Sequence, residues 1–217
     1  MKFLSLIFIL LFSVSSVFAK EPENLQVLIQ QLIHYHDSKE YDQDIKQVID
    51  QASDYLHHRL ESPTDKNKPL AMILDIDETS LSNYPDLYKM HFGGSFREVQ
   101  DLEGKGTDPL ISPTLALYNY AKANKVAVFF VTGRTERYKE ATAKNLERAG
   151  YKNWDGLYLK PENYNLNSAS FYKANIRKEI ENQGFDIVLN IGDQESDLVG
   201  GYADKTFKLP NPYYFVP

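Results

Sequence analysis

Residues 70–83 read Leu-Ala-Met-Ile-Leu-Asp-Ile-Asp-Glu-Thr-Ser-Leu-Ser-Asn, an apolar run of strand length that ends in Asp75-Ile76-Asp77. Residues i and i+2 of a strand share a face, so the spacing predicts two carboxylates in one small volume where a buried strand runs out. Charges that close repel, and the pair needs a cation, a shared proton, or both. In an open parallel sheet the carboxyl ends of the strands are where ligands bind. The ordinary structural alternative is that Asp77 or Thr79 simply caps a following helix.

Two further apolar runs end in groups of similar promise. Val126–Val131 leads into Thr132-Gly133-Arg134-Thr135, and Asp186–Ile191 leads into Gly192-Asp193-Gln194-Glu195-Ser196-Asp197. If the strands are parallel, right-handed crossovers bring all three ends to one edge. Asp75, Asp77 and Asp193 then converge as hard oxygen ligands, a set suited to Mg²⁺, which keeps several waters and bridges phosphate oxygens. Thr132 offers a hydroxyl and Gly133 a backbone N–H at an expected helix start, both suited to an anion. Lys160, at a strand end, and Lys173, early in the next helix, are the candidate cations. Asp197 lies at i+4 from Asp193 and faces the same side of an expected helix. Around one phosphoryl group, Asp75 would attack phosphorus. Asp77 would protonate the leaving oxygen and then deprotonate the attacking water. Lys173 and the Thr132 hydroxyl would hold the equatorial oxygens. Arg134 suits a leaving-group clamp and a structural ion pair equally.

The elements that must position these groups alternate. Glu21–Leu60 has helical periodicity in two apolar faces, with a turn near Asp37-Ser38. Glu61–Pro69 is a polar linker. After the acidic strand, residues 84–113 are irregular, glycine-containing and aromatic, and are expected to fold over the carboxylates as an insertion. Helices are expected over 114–124, 135–149 and 168–183, with Gly150 and Gly184 as their stops. Strands are expected over 126–131, 156–160, 186–191 and 206–209. Pro210-Asn211-Pro212 cannot continue regular structure. The alternation predicts an α/β fold, a mostly parallel sheet flanked by helices, with N-terminal helices outside it. Gly104-Lys105-Gly106-Thr107 lacks the glycine five residues earlier and follows no strand, so it is not a phosphate loop. His34, His36, His57 and His58 lack the i, i+4 spacing of helical zinc pairs.

Met1–Ala19 has a basic start at Lys2, an apolar stretch from Phe3 to Phe12 and Val17-Phe18-Ala19 before Lys20, the pattern of a Sec-type signal peptide. The stretch is short for a membrane span. Export to the periplasm or the medium is expected, with no membrane association after cleavage. Removing 19 of 217 residues leaves 198, and losing Lys2 takes the formal charge from −6 to −7. An acidic balance argues against coating a nucleic acid polymer. The chain has no cysteine, which excludes disulfides, thiol catalysis and thiolate zinc sites. The core alone must hold the fold, and 198 residues suffice to build one.

Taken in order, Asp75-Ile76-Asp77-Glu78-Thr79, Val131-Thr132-Gly133-Arg134, Lys173 and Gly192-Asp193-Gln194-Glu195-Ser196-Asp197 resemble the four motifs of the haloacid dehalogenase (HAD) superfamily. His91-Phe92-Gly93-Gly94, Asn145-Leu146, Tyr172-Lys173 with Arg177, and Phe207–Pro212 narrow the resemblance to the subfamily IIIB acid phosphatases, relatives of plant vegetative storage proteins and close to class C acid phosphatases. The resemblance covers Leu70 to the C-terminus. It implies a Rossmann-like core over 70–217 with a cap-like insertion at about 84–113, a helical segment over 20–69, and secreted, Mg²⁺-dependent hydrolysis of small phosphomonoesters. It implies Asp75 as nucleophile, Asp77 as acid and base, and Thr132, Gly133 and Lys173 as phosphate ligands. Asp75, Asp77 through its backbone carbonyl, and Asp193 become metal ligands, with Asp197 orienting them. It allows a homodimer. An aromatic residue is common where Glu195 stands, and tryptophan is usual where Phe92 stands. Some storage relatives lack the nucleophilic acid, whereas this chain keeps Asp75. Transfer of the phosphoryl group to an alcohol, and a non-catalytic storage or binding role, are the alternatives.

Overall fold

The computed structural model describes residues 20–62, 67–164 and 169–216. The expected signal peptide, residues 1–19, lies outside them, as do parts of the expected linker and residue 168 of the expected helix start. Five strands form one parallel sheet in the order β3-β2-β1-β4-β5. They are β1 (Leu70–Leu74), β2 (Ala127–Thr135), β3 (Gly156–Lys160), β4 (Asp186–Gly192) and β5 (Lys205–Lys208). The helices are α1 (Leu25–Asp37), α2 (Glu40–Glu61), α3 (Tyr84–Lys89), α4 (Phe96–Glu103), α5 (Ser112–Ala123), α6 (Lys139–Ala149), α7 (Ala169–Asn182) and the single turn α8 (Glu195–Leu198). The α/β reading, with helices on both sides of a parallel sheet, holds.

The sheet is buried on both faces because its strands are apolar at consecutive positions. Met72, Leu74, Val128 and Phe130 pack against α2, α5 and α6, while Ala71, Ile73, Phe129 and Val131 pack against α7. Helix α2 supplies Tyr41, Ile45, Ile49, Ala52 and Leu56 to the larger cluster, so this N-terminal helix is packed into the main core. The α1–α2 turn is made by Lys39 in the left-handed region, φ 70°. Gly150 and Gly184 end α6 and α7 with φ 104° and 99°, a conformation that costs glycine least. Between β1 and α5 the chain inserts α3 and α4, the latter started by a reciprocal Ser95–Glu98 capping box. After β5, the chain turns back over the carboxyl edge of the sheet, and Val216 N–H donates to Gln194 Oε1 at 3.0 Å.

Two local expectations are corrected. Strand β1 ends at Leu74, before Asp75, so the shared-face argument for Asp75 and Asp77 does not apply. Strand β2 runs on through Thr132, Gly133 and Arg134 to Thr135, which pairs with Lys160 across an irregularity in the ladder. A 3₁₀ turn follows over Glu136–Tyr138, and the helix begins only at Lys139. Gly133 N–H is therefore not at a helix start. The buried ion pairs of Arg134 fix this segment in extended form.

Leu56 is fully buried among sheet residues. Leu56→Ala is expected to cost about 2–5 kcal/mol in chemical denaturation, with one transition retained. A loss below about 1 kcal/mol would mean that α2 is dispensable to the core.

Candidate active site

The first fixed point is the backbone just beyond β1. Asp75 N–H donates to Ile191 O of β4 at 2.9 Å, which carries the ladder one residue past the strand. From α7, on the face opposite α2, Lys173 sends its Nζ to Asp75 Oδ1 at 2.6 Å and to Asp197 Oδ1. All three side chains are buried. Asp193, just past β4, completes the group: Asp75, Asp193 and Asp197 each offer an oxygen within 4.8 Å of the others, the one such cluster of three among the described residues.

Each carboxylate is held. Asp193 Oδ2 accepts from Gln194 Nε2 at 2.6 Å and from Asn211 Nδ2 of the C-terminal tail at 2.7 Å. Asp197 Oδ2 accepts from Gln194 N–H at 2.8 Å. Gly192 makes that approach possible, since a Cβ there would lie 2.4 Å from Asp197 Oδ2. Three carboxylates around one ammonium leave an excess of two negative charges if all are ionised. Burial pushes Asp75 well above the usual carboxylate range although Lys173 opposes it. Burial, then Asp197 and Glu78, raise Asp193 to about 7. Burial disfavours the Lys173 charge, but Asp197 and Asp75 outweigh it and raise its pKa. Uncompensated charge on fixed, hard oxygens fits a divalent cation.

Asp77 is set apart from that cluster. Its Oδ1 accepts from Arg134 Nη2 at 2.7 Å, Arg134 Nε at 3.0 Å and Asn83 Nδ2 at 2.8 Å. Its Oδ2 is reached by Arg134 Nε at 3.2 Å. Burial acts to raise its pKa, yet the charge and hydrogen bonds of Arg134 prevail and lower it. The two acids of the Asp-Ile-Asp sequence thus answer to different cations, Lys173 and Arg134. They meet again as walls of one cavity of about 320 Å³, which Gly133 and Arg134 also line. Thr132 is not among the lining residues described: it is fully buried, and its hydroxyl accepts from Arg134 N–H at 3.1 Å. Of the aromatics of the insertion, Phe92 lines the cavity, while Tyr84 lies against Phe92 at 5.9 Å and stacks on His36 at 3.4 Å between ring centroids. Lys160 lines the cavity as well.

A family model described as HAD superfamily, subfamily IIIB (acid phosphatase) matches residues 11–217. The chain belongs to this family. Among its HAD IIIB relatives, the stem 28 kDa glycoprotein of Glycine max is 36% identical over 202 residues, covering 90% of this chain and 76% of that protein. Acid phosphatase 1 of Solanum lycopersicum is 36% identical over 182 residues, covering 81% and 69%. Vegetative storage protein 2 of Arabidopsis thaliana is 34% identical over 185 residues, covering 83% and 68%. The class C acid phosphatase from Bacillus anthracis superimposes with a TM-score of 0.71 at 24% identity, over 88% of this chain and 87% of that one, a likeness of fold. Among the described residues, no helix of this HAD IIIB chain is long and apolar enough to cross a membrane.

Three residues at the site escaped sequence reasoning. Asn211 was legible only as part of a proline-flanked tail. Asp108 accepts from Arg134 Nη2 at 2.8 Å and lies in the irregular insertion. Glu103 ends α4, buried in the cavity wall. Its signal was the Ser95-x-x-Glu98 pattern, which marks the start of that helix.

Burial, with the Asp77 charge adding to it, raises Glu103 to about 8. A carboxyl whose folded pKa exceeds its ordinary 4.5 makes the folded state bind more protons. Stability is then lost as pH rises from about 5 to 8. Glu103→Gln removes that contribution. Its melting temperature is expected to match the parent near pH 5 and to exceed it near pH 8. Parallel pH profiles for the two proteins would contradict the assignment.

Proposed function

We propose that this protein is an exported, Mg²⁺-dependent phosphatase that hydrolyses small phosphomonoesters through a phosphoaspartate on Asp75. The observation that carries the reading is the buried Lys173 ammonium between Asp75 and Asp197, beside Asp193, at a cavity of substrate size. The names of the tomato relative and the Bacillus anthracis neighbour carry the activity for those proteins, and family membership brings it to this chain. The Met1–Ala19 pattern supports export.

Asp75 and Asp193, with the Asp77 backbone carbonyl, would hold the ion; Asp197, expected only to orient them, also offers an oxygen within reach of it. When bound, Mg²⁺ supplies positive charge that lets an anionic nucleophile approach an anionic ester. Asp75 Oδ attacks phosphorus as the bond to the leaving oxygen breaks, and Asp77, when protonated, gives that oxygen its proton. Lys173 neutralises charge on the transferring group, and the Gly133 N–H, which lines the cavity, acts on the same group, while the buried Thr132 hydroxyl holds Arg134 N–H. In the second step water attacks phosphorus, the carboxylate of Asp77 takes its proton, and the bond to Asp75 breaks. The crowded oxygen of Asp77 is Oδ1, so Oδ2 is the oxygen suited to carry the proton in both steps.

The insertion and the tail wall the leaving-group side with Leu87, Phe92, Val99, Tyr213 and Phe215. A storage role, which the name of the Arabidopsis thaliana relative carries, requires none of the charged arrangement.

Asp75→Asn is expected to lower hydrolysis of a chromogenic aryl phosphate by more than about 10³-fold. Acid quenching of the unaltered enzyme during turnover should leave phosphate on the peptide containing Asp75. Full activity in Asp75→Asn, or label on another peptide, would overturn the mechanism.

A further inference from the structure

We propose that Asp108 is a positioning residue for the proton chemistry of Asp77, acting through Arg134. The inference rests on the role given to Asp77 above. Arg134 reaches two carboxylates at once: Nη2 donates to Asp77 Oδ1 at 2.7 Å and to Asp108 Oδ2 at 2.8 Å. The guanidinium is fully buried and the Asp108 carboxylate is 3% exposed, so water does not stand in for either partner. Asp108 is itself locked. Its N–H donates to Asn145 Oδ1 at 2.9 Å, and its C=O accepts from Asn145 Nδ2 at 2.8 Å. Asn145 is fully buried on α6. A rigid path therefore runs from α6 through the insertion and β2 to the loop after β1.

The path matters because a guanidinium beside a phosphate site has two better bonds to make than the ones seen. It can rotate to grip both Asp77 oxygens in a symmetric fork, or it can turn to the phosphoryl oxygens. Either movement would spoil the proton transfer: the first occupies Oδ2, and the second releases Asp77. Asp108 opposes both by holding Nη2 from the side away from Asp77, which leaves Oδ2 with one long contact at 3.2 Å. A buried cation that lost Asp108 would have to find another anion, since an unpaired charge in the interior is costly. The insertion thus does more than cover the cavity: it contributes the charge that sets the geometry of the acid.

The test uses leaving groups that differ in their need for a proton. 4-Nitrophenolate departs without one, whereas the alkoxide of glycerol phosphate requires it. Because kcat/KM reports steps through the first irreversible transfer, it isolates leaving-group protonation from later hydrolysis of the phosphoaspartate. With the full Mg²⁺-loaded protein, Asp108→Asn is expected to lower kcat/KM for glycerol phosphate by about 10- to 100-fold, and for 4-nitrophenyl phosphate by less than about threefold. An equal fall on both substrates, or no fall on either, would overturn the proposal. If Asp108→Asn does not fold, Asp108→Glu, which keeps the charge and displaces it by one methylene, is read in the same way. It should show a smaller loss with the same preference, and an equal loss on both substrates again overturns the proposal. An unaltered protein inactive on both esters would instead defeat the proposed function itself.

Discussion

Like charges at the carboxyl edge of the sheet are the constraint that the rest of the structure answers. Asp75, Asp193 and Asp197 come from two neighbouring strand ends and a single helical turn, and they lie within 4.8 Å of one another. One buried ammonium, Lys173, is shared between two of them. That helix α7 packs on the opposite sheet face from α2 and α5 is what lets Lys173 reach the edge from beneath. The parallel order places β1 and β4 side by side, so Asp75 and Asp193 follow adjacent strands. The negative excess is thus a product of topology, and a divalent cation is the simplest charge to balance it.

A second cation keeps the fourth carboxylate out of that pool. Arg134 draws Asp77 away toward Asp108 and Asn83, although only Ile76 separates Asp77 from Asp75 in the chain. Two acids two residues apart acquire opposite pKa directions, Asp75 raised and Asp77 lowered. Burial acts the same way on both, so the neighbouring cations and carboxylates decide the difference. The C-terminal tail stabilises the arrangement from above, with Asn211 donating to Asp193 and the Tyr214 hydroxyl donating to the buried Glu78.

Much of this was legible in the chain. Continuous apolar runs ending in Asp75, Thr132 and Asp193 announced parallel strands and a common edge, and the motif order identified the family. The resemblance favoured Lys173 over Lys160 as the site cation; Lys173 contacts Asp75 and Asp197, and Lys160 also lines the cavity. What failed was local geometry. Period-2 spacing put Asp75 and Asp77 together, but the strand ends before either. A threonine-glycine pair after an apolar run read as a strand-to-helix turn, whereas buried ion pairs hold Arg134 extended. Asp108 and Glu103 were not picked out because their roles depend on tertiary partners far away in sequence, and Asn211 was legible only as part of the Phe207–Pro212 resemblance.

The central claim is that the Asp75–Asp193–Asp197 cluster is completed by a divalent cation. Calorimetric titration of the metal-free protein with Mg²⁺ tests it most directly. The account predicts one ion bound per chain, with binding lost in Asp193→Asn while the fold survives by circular dichroism. No binding to the unaltered protein, or undiminished binding in Asp193→Asn, would contradict it.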